Sequence, residues 1–259
     1  MAIFMKKSIL LNQNFFKDPQ LVKAIVRQAG IGPSDVVYEI GPGRGMITRD
    51  LAKAAGKVVA VEIDRRLFLQ LQAEFAADPR VKIINADWLN YQATESNYKV
   101  FANIPFNLTA EIIRKLLADR KLAEAYLVVQ KEAAEKFTGR PKETQFSILN
   151  KPWFEFEIVR SFKKTDFIPI PSVETVLLKI TKRQEALVDQ AAKDDYIWFI
   201  QLGFNHWRAN LGKNFKNVFT YRQWRRLAHD LKFSVKVLPT DLIFDQWLGI
   251  FKFYRQLGH

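Results

Sequence analysis

Cysteine is absent from the 259 residues, and histidine occurs three times, at His206, His229 and His259. Without thiols there is no disulfide scaffold, no Cys-ligated zinc or iron–sulfur cluster, and no thiolate nucleophile. Three scattered histidines do not make a His-rich metal site, so no metal is expected. Long apolar runs are missing as well. No stretch approaches the ~20 residues that a membrane-spanning helix needs. The apolar run after Lys6 and Lys7 is four residues including Ser8, against the ~7–15 of a signal-peptide core. A cytoplasmic protein without a membrane partner is expected. Acids are scarce beside bases: 27 Asp and Glu face 40 Lys and Arg, a net charge of +13 with a pI near 9.8. That excess points to a polyanionic partner. The 48% of hydrophobic residues suffices for a packed core and excludes disorder throughout.

Strand and helix patterns alternate along the first 183 residues. Asp18-Pro19 opens a helix that closes at Gly30. Short apolar runs at Val36–Ile40, Val58–Val61, Val81–Ile84, Val100–Ala102 and Ala125–Val129 read as buried strands. Helical patterns at Met46–Ala55, Leu67–Ala76 and Ala110–Leu117 separate them. Two late strands, Phe154–Val159 and Val176–Ile180, have no clear helix between them and suit an antiparallel edge. The fold expected is α/β: a Rossmann-like, mostly parallel seven-stranded sheet with helices on both faces. Residues 184–259 form a small all-α domain in this reading. The last 74 residues carry 11 bases, 6 acids and four of the six tryptophans. Those aromatics read as core. Arg222, Arg225 and Arg226 leave two readings open, a phosphate contact or a solvated helix face.

The chemistry gathers at strand ends. Gly41-Pro42-Gly43-Arg44-Gly45 follows a strand and opens a helix, where glycines let backbone approach a ligand. The dinucleotide fingerprint needs glycine at position 46, which is Met46, so a cradled pyrophosphate is disfavoured. Glu62, 21 residues after Gly41, can accept from both ribose hydroxyls, with Ile63 beside it. That serves NAD and S-adenosylmethionine alike. Asp87, after the third strand, can accept from an adenine amine, with Trp88 adjacent. At the fourth strand stands Asn103-Ile104-Pro105-Phe106. An exocyclic amine on a base has its lone pair delocalised into the ring. The Asn103 amide oxygen and the Ile104 carbonyl can accept both amine hydrogens and redirect that lone pair. Pro105 stiffens the backbone, and Phe106 can stack on the base.

Six motifs occur in order: Gln13-Asn14-Phe15-Phe16, Glu39-Ile40-Gly41-Pro42-Gly43-Arg44-Gly45, Val61-Glu62-Ile63-Asp64, Asn103-Ile104-Pro105-Phe106, Trp153-Phe154-Glu155 and Phe167-Ile168-Pro169-Ile170-Pro171-Ser172-Val173. With them the chain resembles the Erm-type 23S rRNA adenine-N6 methyltransferases, within the wider KsgA/Dim1/Erm family of rRNA adenine dimethyltransferases. The resemblance spans roughly residues 10–183. Ile104 and the Val128-Val129-Gln130-Lys131-Glu132 wording favour the Erm branch. The resemblance implies S-adenosylmethionine contacts at Asn14, Phe16, Gly41, Glu62, Asp87 and Asn103, beside Gly43, Ile63 and Trp88 from the reading of the strand ends. It implies base contacts at Asn103, Ile104 and Phe106, with Phe167 as a second aromatic wall. It also implies N6-methylation of one adenine in 23S rRNA and resistance to macrolides, lincosamides and streptogramin B. Phe106 stands where many relatives have tyrosine, Asn12 where glycine is common, and Thr175 where serine is frequent.

The target adenine is expected to be flipped out of its stack, by a monomer whose RNA contacts are mainly to phosphate. Candidate contacts are Lys6, Lys7, Arg44, Lys131, Lys136, Arg140, Lys142, Lys163 and Lys164, plus the tail arginines. Arg140-Pro141-Lys142 and Lys163-Lys164 are expected to border the pocket. A small-subunit rRNA enzyme of KsgA type, a non-catalytic nucleic-acid-binding factor of the same fold, and an NAD dehydrogenase, which Met46 disfavours and which leaves Asn103–Phe106 unexplained, are the rival readings.

Overall fold

The computed structural model describes residues 14–206 and 209–258. Gln13, Asn12, Lys6, Lys7, Trp207 and His259 lie outside the described residues. Two compact units divide the chain: Met1–Ala134 with Phe156–Lys182, and Glu135–Glu155 with Arg183–His259.

The first unit is built on strands whose apolar runs are buried on both faces, as parallel sheets require. Its elements begin with β1 (Phe15–Phe16), α1 (Pro19–Gln28), β2 (Val36–Ile40), α2 (Met46–Ala54), β3 (Lys57–Glu62) and α3 (Arg65–Glu74). They continue with β4 (Val81–Asn85), β5 (Tyr98–Asn103), α4 (Thr109–Ala118) and β6 (Leu122–Gln130). After α5 (Lys131–Thr138) and α6 (Gln145–Asn150), β7 (Phe154–Phe162), β8 (Phe167–Ile168) and β9 (Thr175–Lys182) complete the strands. The main sheet has seven strands in the order β4-β3-β2-β5-β6-β9-β7. Pairs β2–β3, β3–β4, β2–β5 and β5–β6 are parallel, and β9 joins β6 antiparallel. The order reverses between β2 and β5. Such a switch point opens a crevice beyond the strands' carboxyl ends.

Local chemistry explains the element ends. The Asp18 carboxylate caps α1 by accepting from the Gln20 amide at 2.8 Å, with Pro19 in the first turn. Asp64 caps α3 in the same way, which starts that helix at Arg65 rather than at the expected Leu67. The face of α1 carrying Val22, Ile25 and Val26 is buried in a core with Leu51, Phe101, Val128 and Leu177. A two-stranded antiparallel pair escaped sequence reading: β1 and β8 align Phe15 with Ile168 and Phe16 with Phe167.

The second unit holds α6, α7 (Lys193–Phe204), α8 (Leu211–Asn214), α9 (Tyr221–Asp230) and α10 (Phe244–Gln256). The expected boundary at 183/184 needs one correction, because Glu135–Glu155 belongs to this helical unit. Ile148 is fully buried in one core with Tyr196, Phe199 and Trp247, and the Tyr196 hydroxyl donates to its carbonyl at 2.8 Å. Thr144 and Ser147 form the capping box that starts α6. The tail aromatics are mainly core, as read: Trp224 and Trp247 are buried, whereas Trp198 is exposed.

Candidate active site

The loop after β2 carries positive φ at Gly41, Gly43 and Gly45, of 64°, 59° and 74°. L-residues with a Cβ rarely adopt that backbone. At Gly43 space is also short: a Cβ would lie 2.8 Å from the Phe15 ring. The N-terminal segment is therefore packed directly on the glycine loop, and the Arg44 guanidinium sits 5.7 Å from the centre of that same ring. Glu62, at the end of β3, clasps two loops. Its Oε2 accepts from the Gly43 amide at 3.0 Å, and its Oε1 from the Asp64 amide at 2.8 Å. Burial raises its pKa, against the pull of those backbone N–H groups. Each oxygen retains a lone pair, so the carboxylate can still accept from a diol.

One strand further back, Glu39 is buried, and its Oε2 has no hydrogen-bond partner among the described residues. Desolvation pushes its pKa up to about 8. Sequence reading placed Glu39 in the motif but gave it no role.

At the end of β5 the Asn103 Nδ2 donates to the Asn14 carbonyl at 2.6 Å. That bond takes up the amide's donor end and leaves Oδ1 as an acceptor. It also ties two motifs 89 residues apart in sequence. A cleft is lined by Asn14, Gly41, Arg44, Asn103, Ile104 and Phe106, with Phe16 and Ile168 beside them. It occupies the switch point between β2 and β5. A second cavity, bounded by Gln130 and the Pro169–Val173 loop, shares Asn14 and Phe106 with the first. Phe106 thus stands between the two.

Several expected contacts need correction. Phe167 is fully buried and packs tilted against Phe16, ring centres 4.7 Å apart, and edge-on against Phe162, so its ring does not line the cleft. Its strand partner register turns it into the core and leaves Ile168 exposed. Trp88 is likewise buried, among Tyr38 and Tyr91, with the Lys115 ammonium 5.3 Å from its ring centre. It cannot sandwich a ring from there, whereas Ile63 is exposed at the neighbouring strand end. Asp87 accepts from the Leu89 amide at 2.9 Å and from the Asn90 side chain at 3.0 Å. Lys115, which sequence reading missed, donates to the carbonyls of Trp88, Leu89 and Tyr91 and so holds that loop. An isolated lysine on an amphipathic helix carries no signal of such a role.

Among the described basic candidates only Arg44 lines the cleft. Lys131 pairs with Glu174 at 2.9 Å, Lys142 with Asp241 at 2.6 Å, and Arg226 with Asp230 at 3.4 Å. The Lys164 ammonium donates to the Ser172 carbonyl. Arg140 and Lys142 belong to the helical unit, and neither they nor Lys163 and Lys164 line the cleft. Arg225 lies 5.9 Å from the ring of Tyr221, one turn before it on α9, and Arg222 shares that helix.

The donor set fits an adenosyl ligand. The Cβ position over Gly41 faces open space, Glu62 offers acceptors, and Ile63 offers an apolar face. Comparison with known proteins agrees. The family model described as ribosomal RNA adenine dimethylase matches residues 5–256. An rRNA adenine N-6-methyltransferase of Aeromicrobium erythreum is 31% identical over 250 residues, 94% of this chain and 72% of that protein. A ribosomal RNA small subunit methyltransferase A of Natranaerobius thermophilus is 30% identical in an alignment that covers 95% of this chain and 90% of that protein. The crystal structure of the 23S rRNA methyltransferase ErmE superposes with a TM-score of 0.88 at 27% identity, covering 94% of this chain and 100% of that one. The chain belongs to the ribosomal RNA adenine dimethylase family and is an rRNA adenine N6-methyltransferase that uses S-adenosylmethionine.

Proposed function

We propose that this chain methylates the exocyclic N6 of one adenine in 23S rRNA, once or twice, and so confers resistance to macrolides, lincosamides and streptogramin B. The chemistry rests on one observation above all: the Asn103 amide is held by the Asn14 carbonyl with Oδ1 left to accept. The choice of 23S rRNA is supported by likeness to ErmE over nearly the whole chain.

In this reading the protein acts as a monomer in the cytoplasm on an adenine flipped out of its stack. Flipping costs a few kcal/mol. Stacking on Phe106 returns ~1–3 kcal/mol per base. Ile168, exposed in the cleft, supplies the facing apolar wall in place of Phe167. Asn103 Oδ1 and the Ile104 carbonyl accept the two N6 hydrogens, which draws the nitrogen toward tetrahedral geometry and aims its lone pair. S-adenosylmethionine supplies the electrophilic methyl group when bound. Glu62 accepts from the ribose hydroxyls, Asp87 from the adenine amine of the cofactor, Asn14, Phe16, Gly41 and Gly43 shape the seat, and Ile63 covers the ring. Once methylated, the amine is acidic enough to lose its proton to water, so no general base is required. Positioning supplies most of the rate.

A second reading, a small-subunit rRNA enzyme, is favoured by the relative in Natranaerobius thermophilus. Tritiated methyl transfer to protein-free 23S fragments and to pre-30S particles, with mapping of the labelled base, separates the two. We expect label at one adenine of the 23S fragment. Label confined to the small-subunit particle would overturn the proposal.

A further inference from the structure

Apart from the cleft, the catalytic unit carries a basic groove lined by Gln20, Lys23, Ala24, Arg27, Gln28 and Arg160. It shares no residue with the active-site cleft. We propose that this groove is a second docking surface for the substrate RNA, holding phosphates of a helical segment that flanks the target adenine. The inference rests on the rRNA-methylating reading and adds a surface to it.

Three observations carry it. First, the lining holds three cations and no acid. None of the three forms an ion pair among the described residues, whereas Lys131, Lys142 and Arg226 do. Like charges gathered without a counter-charge repel, and a polyanion relieves that repulsion.

Second, the groove is rigid. The buried Val22, Ile25 and Val26 fix one face of α1 in the core, which leaves Lys23 and Arg27, one turn apart, on the exposed face. The Gln28 side-chain amide donates to the Val159 carbonyl at 3.1 Å and fastens α1 to β7. Arg160, half-buried on β7, is thereby held opposite the helix. The backbone positions that carry the three cations are therefore fixed relative to one another.

Third, the dimensions suit a nucleic-acid strand. From Gln20 to Gln28, α1 rises about 12 Å. Successive phosphates of a helical RNA strand lie roughly 3 Å apart along the axis, so about four span that length. The helix also begins beside the cleft, since Phe16 lines the cleft and Pro19 opens α1. A strand entering the groove therefore continues toward the flipped base.

The test uses the full chain with Lys23→Ala, Arg27→Ala and Arg160→Ala together. The double variant of the exposed Lys23 and Arg27 serves if the triple one does not fold. RNA affinity is read by anisotropy with a 23S fragment bearing a helix next to the target, across a potassium chloride series. We expect the slope of log affinity against log salt to shrink by about one per cation removed. Affinity at low salt should fall tenfold or more, with kcat at saturating RNA and S-adenosylmethionine affinity unchanged. An unchanged affinity and slope would overturn the groove, whatever base is methylated. Conversely, wild-type protein that binds the fragment with the expected slope yet methylates no 23S adenine would sink the target assignment and leave the groove standing.

Discussion

The two units solve burial in opposite ways. In the helical unit the interior is aromatic, and its polar atoms are paired: the Trp153, Trp224 and Trp247 indole N–H groups donate to the carbonyls of Val188, Val235 and Pro239 at 3.0–3.1 Å. In the catalytic unit buried polar atoms are left over. Every described buried side-chain atom without a partner lies there, including Glu39 Oε2, Trp88 Nε1 and Thr109 Oγ1. Unpaired buried polar groups cost stability. The helical unit spends nothing on them because packing is its task. In the catalytic unit they are spread over strands, helices and loops, at Glu39, Thr48, Trp88, Thr109 and Thr175, and none of them lines the cleft.

If that contrast is right, the largest loss of stability comes from the aromatic core. Trp247→Ala should cost about 3–5 kcal/mol, as large-to-small changes in a full core do. Calorimetry should show the helical unit melting early while S-adenosylmethionine affinity stays the same. A loss of cofactor affinity would break the comparison.

A smaller effect is expected at Phe106. Its truncation to alanine removes base stacking worth ~1–3 kcal/mol, so kcat/KM should fall about 10- to 100-fold. Phe106→Tyr keeps the ring and should retain nearly full activity. Equal losses in steady-state assays of both variants would exclude stacking.

The remaining effect, read as a slope against pH rather than as a loss at one pH, concerns Glu39, whose carboxyl rises from its ordinary 4.5 to about 8 on burial. An acid raised in the folded state loses its proton on unfolding. The contribution of Glu39 to stability is therefore greatest below pH 4.5 and falls toward pH 8, by up to about 1.4 kcal/mol per pH unit. Glu39→Gln should flatten that slope in melts at pH 5 and pH 7.5. An unaltered slope would mean that another group carries it.

Much of the fold was legible because its cues are local. The apolar runs of β2 to β6, the Asp18-Pro19 start and the glycine loop each announce themselves within a few residues. The cleft's members were legible for the same reason, as punctuation at strand ends. What failed depended on distant pairing. Phe167 faces the core because β8 pairs with β1, about 150 residues earlier in the chain. Lys142 looked free, and its partner Asp241 lies 99 residues away. Residues 135–155 joined the helical unit through Ile148, whose neighbours Tyr196 and Phe199 lie beyond three intervening strands. No window of sequence holds those contacts.

The central claim is that an oriented amide at the end of β5 activates the adenine amine. Asn103→Ala tests it most directly, with methyl transfer to a 23S fragment and RNA affinity measured side by side. The account predicts a loss of roughly 10²–10³-fold in kcat, the scale for removing one positioned polar group from a transition state, with RNA affinity unchanged. Methyl transfer at the wild-type rate would contradict it.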